Sequence, residues 1–259
     1  LEASVSRLDY EVLLAALLQK NRSWILAHEE YELSQNEMDT ILAWLKRRID
    51  NEPVAYITGT KEFYGRSFIV NNTVLIPRPA TERLIDTLGD FIQKDADLVT
   101  DIDTGIVAYG KRFASLKNIR TIVDIGTGSG CIAVTLAFRY PQYDFIATDV
   151  SDTALNIARR NVQQYQLEHH ITCRYGPYLD PIQELAVPFL IISNPPYVPD
   201  GEKLPNDVSS YEPHQALFAG SDGGDVLREL IKQAKQHSFC AGIIIECKKE
   251  QAPECRMKN

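Results

Sequence analysis

The chain is expected to fold as an α/β protein: a doubly wound parallel sheet preceded by a small N-terminal helical bundle and a β-hairpin linker. Three observations lead there. From Arg120 onward, strand-like runs at 121–125, 144–148, 171–175, 189–193 and 242–246 alternate with helical patterns starting near Gly130, Asp152 and Asp225. Apolar runs that are not relieved by polar alternation belong to strands covered on both faces, and strand–helix alternation implies a parallel sheet. Between Leu8 and Ile49 the apolar period is instead helical, and after Glu52-Pro53 it gives way to β-branched residues set among glycines.

The elements follow in order. Leu13, Leu14, Leu17 and Leu18 form one helical stripe, Trp24, Ile25 and His28 a shorter one, and Met38, Ile41, Leu42, Leu45 and Ile49 a third. Ser34-Gln-Asn-Glu37 has the spacing of a capping box, and Lys46, Arg47 and Arg48 sit where the helix dipole favours cations. The aromatics of this bundle and His28 are read as core. Glu52-Pro53 stops the helix, and the stretch from Tyr56 through Gly65 to Val70 reads as a hairpin. Leu75-Ile-Pro-Arg-Pro79 is held extended by its two prolines, as a rigid linker. A helix over about 81–92 comes next. Lys94 to Asn118, with Asp95, Asp97, Asp101 and Asp103, reads as a loop-rich insertion with no catalytic part. The resulting divisions are 1–50 for the bundle, 51–79 for the hairpin linker and 80–259 for the sheet domain.

Composition excludes several functions. With 259 residues, 44% hydrophobic and 24% charged, the chain can bury an ordinary core and is neither disordered nor a disulfide-stapled miniprotein. The net charge of −8 and a pI near 5.2 are the wrong sign for a chain whose main partner is a phosphate backbone. Five cysteines without a C-x-x-C pair fit free thiols in a reducing compartment and no zinc site. No apolar run approaches the roughly 18 residues that span a membrane. Leu1-Glu2-Ala3-Ser4 resembles no signal peptide, so a cytoplasmic protein is expected, and the missing initiator Met points to a trimmed chain.

Three constellations carry chemistry. Val123-Asp-Ile-Gly-Thr-Gly-Ser-Gly130 leaves a strand and opens a helix. Gly126, Gly128 and Gly130 let the backbone turn tightly and approach a ligand at the C-terminal end of the sheet, where α/β folds bind nucleotide-like cofactors. The compressed G-x-G-x-G departs from the G-x-G-x-x-G of dinucleotide sites. Asp149, at the end of the next strand, is placed to accept both hydroxyls of a ribose, with Ser151 or Asp152 left to cap the following helix. Third is Asn194-Pro-Pro-Tyr197, after the strand at 189–193. Two prolines stiffen this loop, so the Asn194 side-chain oxygen and the Pro195 carbonyl can each accept one N–H of a planar NH₂ group while Tyr197 stacks on its plane.

Asp124 to Gly130 together with Asn194 to Tyr197 resembles the methyltransferases that use S-adenosylmethionine to methylate planar nitrogens. These have a class I, Rossmann-like fold and act on adenine or cytosine in DNA or on protein glutamine. The helical start, Glu52 to Gly59, Phe63-Tyr-Gly65, Leu75 to Pro79 with Thr81-Glu82, and Tyr211-Glu-Pro213 with Ala216-Leu217 resemble the release factor glutamine methyltransferases, the HemK/PrmC family. The resemblance implies S-adenosylmethionine as cofactor, with Asp124, Gly126, Thr127, Gly128, Ser129 and Gly130 at its methionine part, Asp149 at the ribose and Tyr178 by the adenine. It also implies that Asn194, which touches cofactor and substrate, joins Pro195, Pro196 and Tyr197 in binding the glutamine of a Gly-Gly-Gln loop, with Asn194, Pro195 and Tyr197 as the catalytic set. A peptide chain release factor docked partly by the helical bundle would be the protein substrate of a monomeric enzyme, with no metal, membrane or nucleic-acid partner.

The alternatives are a DNA adenine-N6 methyltransferase, which would flip a base into the same pocket but should carry a basic groove, and a cofactor-binding pseudoenzyme. The second is motivated by departures from the family pattern. Ala80 replaces an acid before Thr81-Glu82, Pro177 replaces the acid after Gly176 and removes an adenine acceptor, and Cys247-Lys248 replaces Ile-Gly between Glu246 and Gln251. The chain is also expected to stop before two final strands, leaving a five-strand sheet with a bare edge.

Overall fold

The computed structural model describes residues 5–94, 98–101, 105–110 and 118–252. Four helices open the chain: α1 (Arg7–Leu18), α2 (Arg22–Ala27), α3 (Gln35–Ile49) and α4 (Val54–Thr58). Each of the first three starts on a side chain that accepts from its first turn. Ser6 takes the Asp9 amide, Asn21 the Trp24 amide, and Ser34 forms the full capping box with Glu37. Leu13, Leu14, Ile41 and Ile57 form the bundle core. The buried Glu11 side chain is gripped by Arg7 and Arg22 at 2.8 and 2.7 Å, which ties α1 to α2.

Three expectations for this region are corrected. His28 is exposed, not core; it stacks on Trp24 at 4.2 Å and bonds the Trp24 carbonyl through Nδ1. Met38 and Leu42 of the third stripe are likewise 40% and 44% exposed, so only part of that stripe faces the core. Residues 54–58, of which 56–58 are read above as the start of the hairpin, form α4, because Val54 and Ile57 pack on the bundle and Gly59 ends the turn at φ 74°.

The hairpin itself is β1 (Thr60–Phe63) and β2 (Arg66–Ile69), joined by Tyr64-Gly65 with φ of 50° and 73°. Positive φ at both central residues is the primed turn whose twist matches that of the strands. Phe63 and Phe68 are fully buried edge to face and dock the hairpin on the sheet domain.

A 3₁₀ turn at Pro79–Thr81 leads into α5 (Glu82–Lys94). Then come β3 (Leu98–Asp101), β4 (Ile106–Gly110), β5 (Thr121–Ile125), α6 (Cys131–Arg139), β6 (Asp144–Asp149), α7 (Asp152–Gln164), β7 (Ile171–Tyr175) and β8 (Phe189–Ser193). The short α8 (Asn206–Ser209), α9 (Asp225–Gln236) and β9 (Cys240–Glu246) complete the described chain. The sheet order is β3-β4-β9-β8-β5-β6-β7, parallel from β9 to β7 and antiparallel at β3-β4-β9.

The two-sided burial inferred from the apolar runs is explicit. Ile122, Leu190, Ile192 and Ile244 face a core with α5, α6 and α7, while Val123, Ile191, Ile243 and Ile245 face the core built on α9. The insertion is corrected. Its residues 98–101 and 106–110 are strands, and β4 pairs along β9 from Ile106↔Glu246 to Gly110↔Gly242. The β9 edge expected to be bare is covered, and among the described residues the sheet has seven strands rather than five. Asp95, Asp97, Asp103 and Cys255 lie outside the described residues.

Candidate active site

Parallel strands end with their carbonyl edges on one side, so the loops after β5, β6 and β8 converge there. The glycine-rich turn comes first. The Gly126 and Thr127 amides both donate to the Thr148 carbonyl at 2.9 Å, stitching the turn to β6. Gly126 and Gly128 have φ of 72° and 55°, and nothing lies within 4 Å of where a Cβ would stand. Both line a cavity of about 300 Å³ bounded by these loops and by the linker around Val74 to Arg78. Their missing side chains leave a cradle open to a ligand. Gly130 serves packing instead: a Cβ there would press on Ala158 of α7 at 3.3 Å.

Asp124 does not reach the cavity wall. It is fully buried beneath the turn, where its Oδ2 accepts from the Thr127 hydroxyl at 2.6 Å and the Ala133 amide at 3.2 Å, while Oδ1 closes no hydrogen bond. Burial pushes its carboxyl up to about 7, against the pull of those two donors. Asp149 is on the wall. Its Oδ2 accepts from the Gly128 amide and its Oδ1 from the Ser151 amide, both at 2.9 Å, so it clamps the turn to β6 and keeps a further lone pair on each oxygen. Burial raises its pKa despite these amides. Of the two cap candidates, Ser151 caps α7 and Asp152 is its first residue. Tyr178, at φ 47°, reaches the wall after the Gly176-Pro177 turn.

Asn194, Pro195 and Pro196 line the same cavity. The Ser193 hydroxyl donates to the Ile125 carbonyl at 2.6 Å and locks the end of β8 to β5. The Asn194 Nδ2 donates to Thr81 Oγ1 at 3.0 Å, which leaves Oδ1 as the acceptor end of that amide. Tyr197 is not on the cavity wall. Its hydroxyl donates to Glu246 Oε1 at 3.0 Å, and its ring packs against the α9-side core. The stacking role expected for this ring is therefore not the one it takes here.

Three supports escaped the sequence reading. Asn161 of α7, fully buried, bonds both the amide and the carbonyl of Ile69 and donates to the Ser129 carbonyl at 2.8 Å, joining hairpin to glycine turn. Glu212 accepts from the Ile76 amide and pairs with Arg78, fixing the linker wall; burial raises its carboxyl pKa and Arg78 opposes the shift. Thr81 and Glu246 brace the Asn194 loop from behind. Residues named only for their resemblance, Thr81, Glu212 and Glu246, carried the signal. Asn161 had none, since an Asn inside a helical run looks like any polar face residue.

The chain's matches to known proteins follow the two structural parts. Residues 2–59 match the family model described as PrmC N-terminal domain, and 99–210 match the methyltransferase small domain. A release factor glutamine methyltransferase of Koribacter versatilis is 36% identical over 89% of this chain and 75% of its own length; that of Coxiella burnetii is 34% identical over 92% and 77%. The chain belongs to the release factor glutamine methyltransferase family.

A bifunctional methyltransferase of Rickettsia typhi is 37% identical over 93% of this chain, and the chain spans only 46% of that protein's length. The PrmC N-terminal match covers the whole of α1 to α4, which agrees with α4 packing on the bundle rather than belonging to the hairpin. The catalytic domain of hMettl16 shares the fold, with a TM-score of 0.50 and 17% identity over 88% of this chain and 76% of that chain. For a family member, the donor set fits S-adenosylmethionine: an open glycine cradle, a carboxylate with lone pairs to spare on the wall, and an amide acceptor at the same rim.

Proposed function

We propose that this chain methylates the side-chain amide nitrogen of the glutamine in the Gly-Gly-Gln motif of a peptide chain release factor, with S-adenosylmethionine as methyl donor. The observation that carries the reading is the Asn194 amide, which lines the same cavity as the glycine cradle and whose NH₂ end is held by Thr81, leaving its oxygen as the acceptor end. Gly126 to Ser129, Asp149 and Tyr178 would hold the donor, which supplies an electrophilic methyl on a sulfonium.

Amide nitrogen is a weak nucleophile because its lone pair is shared with the carbonyl. Asn194 Oδ1 and the Pro195 carbonyl would each accept one N–H, fixing the substrate amide plane and directing the nitrogen lone pair out of it. Placement in this way is the protein's main contribution, and no nucleophilic side chain is required. The four described cysteines are free thiols, which suits a reducing compartment, and among the described residues no helix is long and apolar enough to cross a membrane.

The test offers labelled S-adenosylmethionine to the protein with an intact release factor, with the same factor carrying Gln→Ala in its Gly-Gly-Gln motif, and with duplex DNA. Label on the intact factor alone is expected. Label on DNA, or equal label on the Gln→Ala factor, would overturn the assignment.

A further inference from the structure

Among the described residues the cavity wall carries two charged side chains, Asp149 at the end of β6 and Arg78 in the linker. Arg78 lies between Pro77 and Pro79, and a residue before proline is driven to extended backbone, which Arg78 adopts at φ −101° and ψ 143°. Its side chain is pinned from behind. Nη2 donates to Glu212 Oε1, and that carboxyl group, with its side chain only 1% exposed, takes the Ile76 amide on Oε2 at 3.1 Å. Glu212 uses one of the five N–H donors of the guanidinium, and no other described group takes the remaining four. The Arg78 carbonyl accepts from the Thr81 amide at 3.1 Å, and Thr81 holds Asn194, so Arg78 sits one turn away from the amide at the cavity rim.

The glycine turn is not built to take an anion. A glycine loop that opens a helix binds phosphate when its amides point outward. Here four of those amides are used inside the fold: Gly126 and Thr127 donate to the Thr148 carbonyl, Gly128 to Asp149, and Gly130 to the Thr127 carbonyl. S-adenosylmethionine nevertheless carries one anionic group, the carboxylate of its methionine end, and a carboxylate taken out of water needs donors to replace its hydration. We propose that Arg78 binds this carboxylate, with Glu212 as the positioning residue that holds the guanidinium at the cavity wall. A guanidinium fork can give a carboxylate two parallel N–H bonds, and the four unused donors include enough for such a pair. Glu212 positions the fork in either protonation state, since it needs only to accept from Nη2.

The inference rests on S-adenosylmethionine as cofactor and not on the release factor as substrate, so its test needs no turnover. S-adenosylhomocysteine and decarboxylated S-adenosylhomocysteine, which differ only in the carboxylate, are titrated calorimetrically into wild type, Arg78→Lys, Arg78→Met and the Arg78→Met/Glu212→Gln pair. Thermal melting checks folding. Arg78→Met leaves Glu212 buried without its partner and lowers the melting temperature, and the paired variant removes that charge. Wild type is expected to prefer the carboxylated ligand by about 10–100-fold, the range of hydrogen bonds between charged groups. The preference should shrink to about threefold or less in Arg78→Met and in the paired variant. Arg78→Lys, which keeps the charge but not the fork, should fall between. Affinity for the decarboxylated ligand should stay within about threefold across all four proteins, because that ligand has nothing for Arg78 to hold.

Equal affinity of wild type for the two ligands would overturn the proposal without recourse to any variant. So would a preference that survives in Arg78→Met, which would put the carboxylate on other donors such as the first-turn amides of α6. An equal loss for both ligands would show that Arg78 only shapes the wall. A raised KM for release factor with the ligand preference intact would assign the fork to the protein substrate and likewise overturn the carboxylate role. The expected titrations with no label transferred to release factor would instead count against the proposed function and leave the role of Arg78 in place.

Discussion

At the scale of single residues, two positions in the cavity separate binding from chemistry. Gly128 sits at φ 55° with open space in front of it, so Gly128→Ala would place a methyl group in the cradle and adopt a backbone conformation costing about 1–2 kcal/mol for an L-residue. The expected result is a loss of S-adenosylmethionine affinity of about tenfold or more, measured by calorimetric titration, with the melting temperature lowered by only a few degrees. Asn194→Ala should do the opposite. Removing the acceptor oxygen leaves the cradle and Asp149 intact, so turnover is expected to fall by at least about 100-fold while cofactor affinity changes less than tenfold. Near-wild-type turnover in Asn194→Ala would sink the assignment of that amide. Both residues were legible in the sequence because each belongs to a short motif with a mechanical reason for its composition. Thr81 and Asn161 were not assigned their roles, since their partners lie 113 and 92 positions away in the chain.

At the scale of elements, the same distinction between local and distant partners decides what could be read. The central strands announced themselves through apolar runs, because a strand covered on both faces is unlike anything a loop carries. β3 and β4 did not. Residues 106–110 are apolar enough for a strand, but the stretch is short and set among acids, and its ladder is completed by β9, with Ile106 opposite Glu246. Strand preference depends on such neighbours more than on the segment itself. α4 was missed for the converse reason: Val, Tyr and Ile favour strands locally, while burial of Ile57 in the bundle and the Tyr56 hydroxyl bond to the Val74 carbonyl at 2.6 Å hold them in a helical turn. Asn161 is the joint between elements that matters most for the site. Asn161→Ala would leave the Ile69 amide and carbonyl and the Ser129 carbonyl without their side-chain partner inside the fold. A loss of about 2–4 kcal/mol in urea unfolding is expected, together with weaker cofactor binding as the glycine turn loses its brace. A stability change below about 0.5 kcal/mol would mean that the hairpin holds by Phe63 and Phe68 alone.

At the scale of the whole molecule, the C-terminal end of the sheet gathers carboxyls that the rest of the surface does not. Asp124, Asp149, Glu212 and Glu246 all have pKa values raised first of all by burial. A raised carboxyl holds a proton in the folded state that the unfolded chain has already released. Its contribution is therefore complete below the ordinary carboxylate range near pH 4 and is lost as the pH climbs through the folded value. For Asp124, from 3.8 to about 7, the loss is at most about 4 kcal/mol. Glu11, Glu37 and Asp222 work the other way: their hydrogen-bonding partners hold them low, and their help disappears as the pH falls below that same range. The two trends meet near pH 4–5, so without cofactor the protein should be more stable at pH 5 than at pH 8. Urea unfolding at the two pH values checks the sign. Asp124→Asn, which keeps an acceptor for Thr127 and Ala133 but cannot ionise, should flatten the difference by the largest single step. Equal stability at pH 5 and pH 8 in the wild-type protein would mean that water or relaxation of the turn solvates Asp124 and removes its burial penalty, and the variant would then show no pH effect to lose.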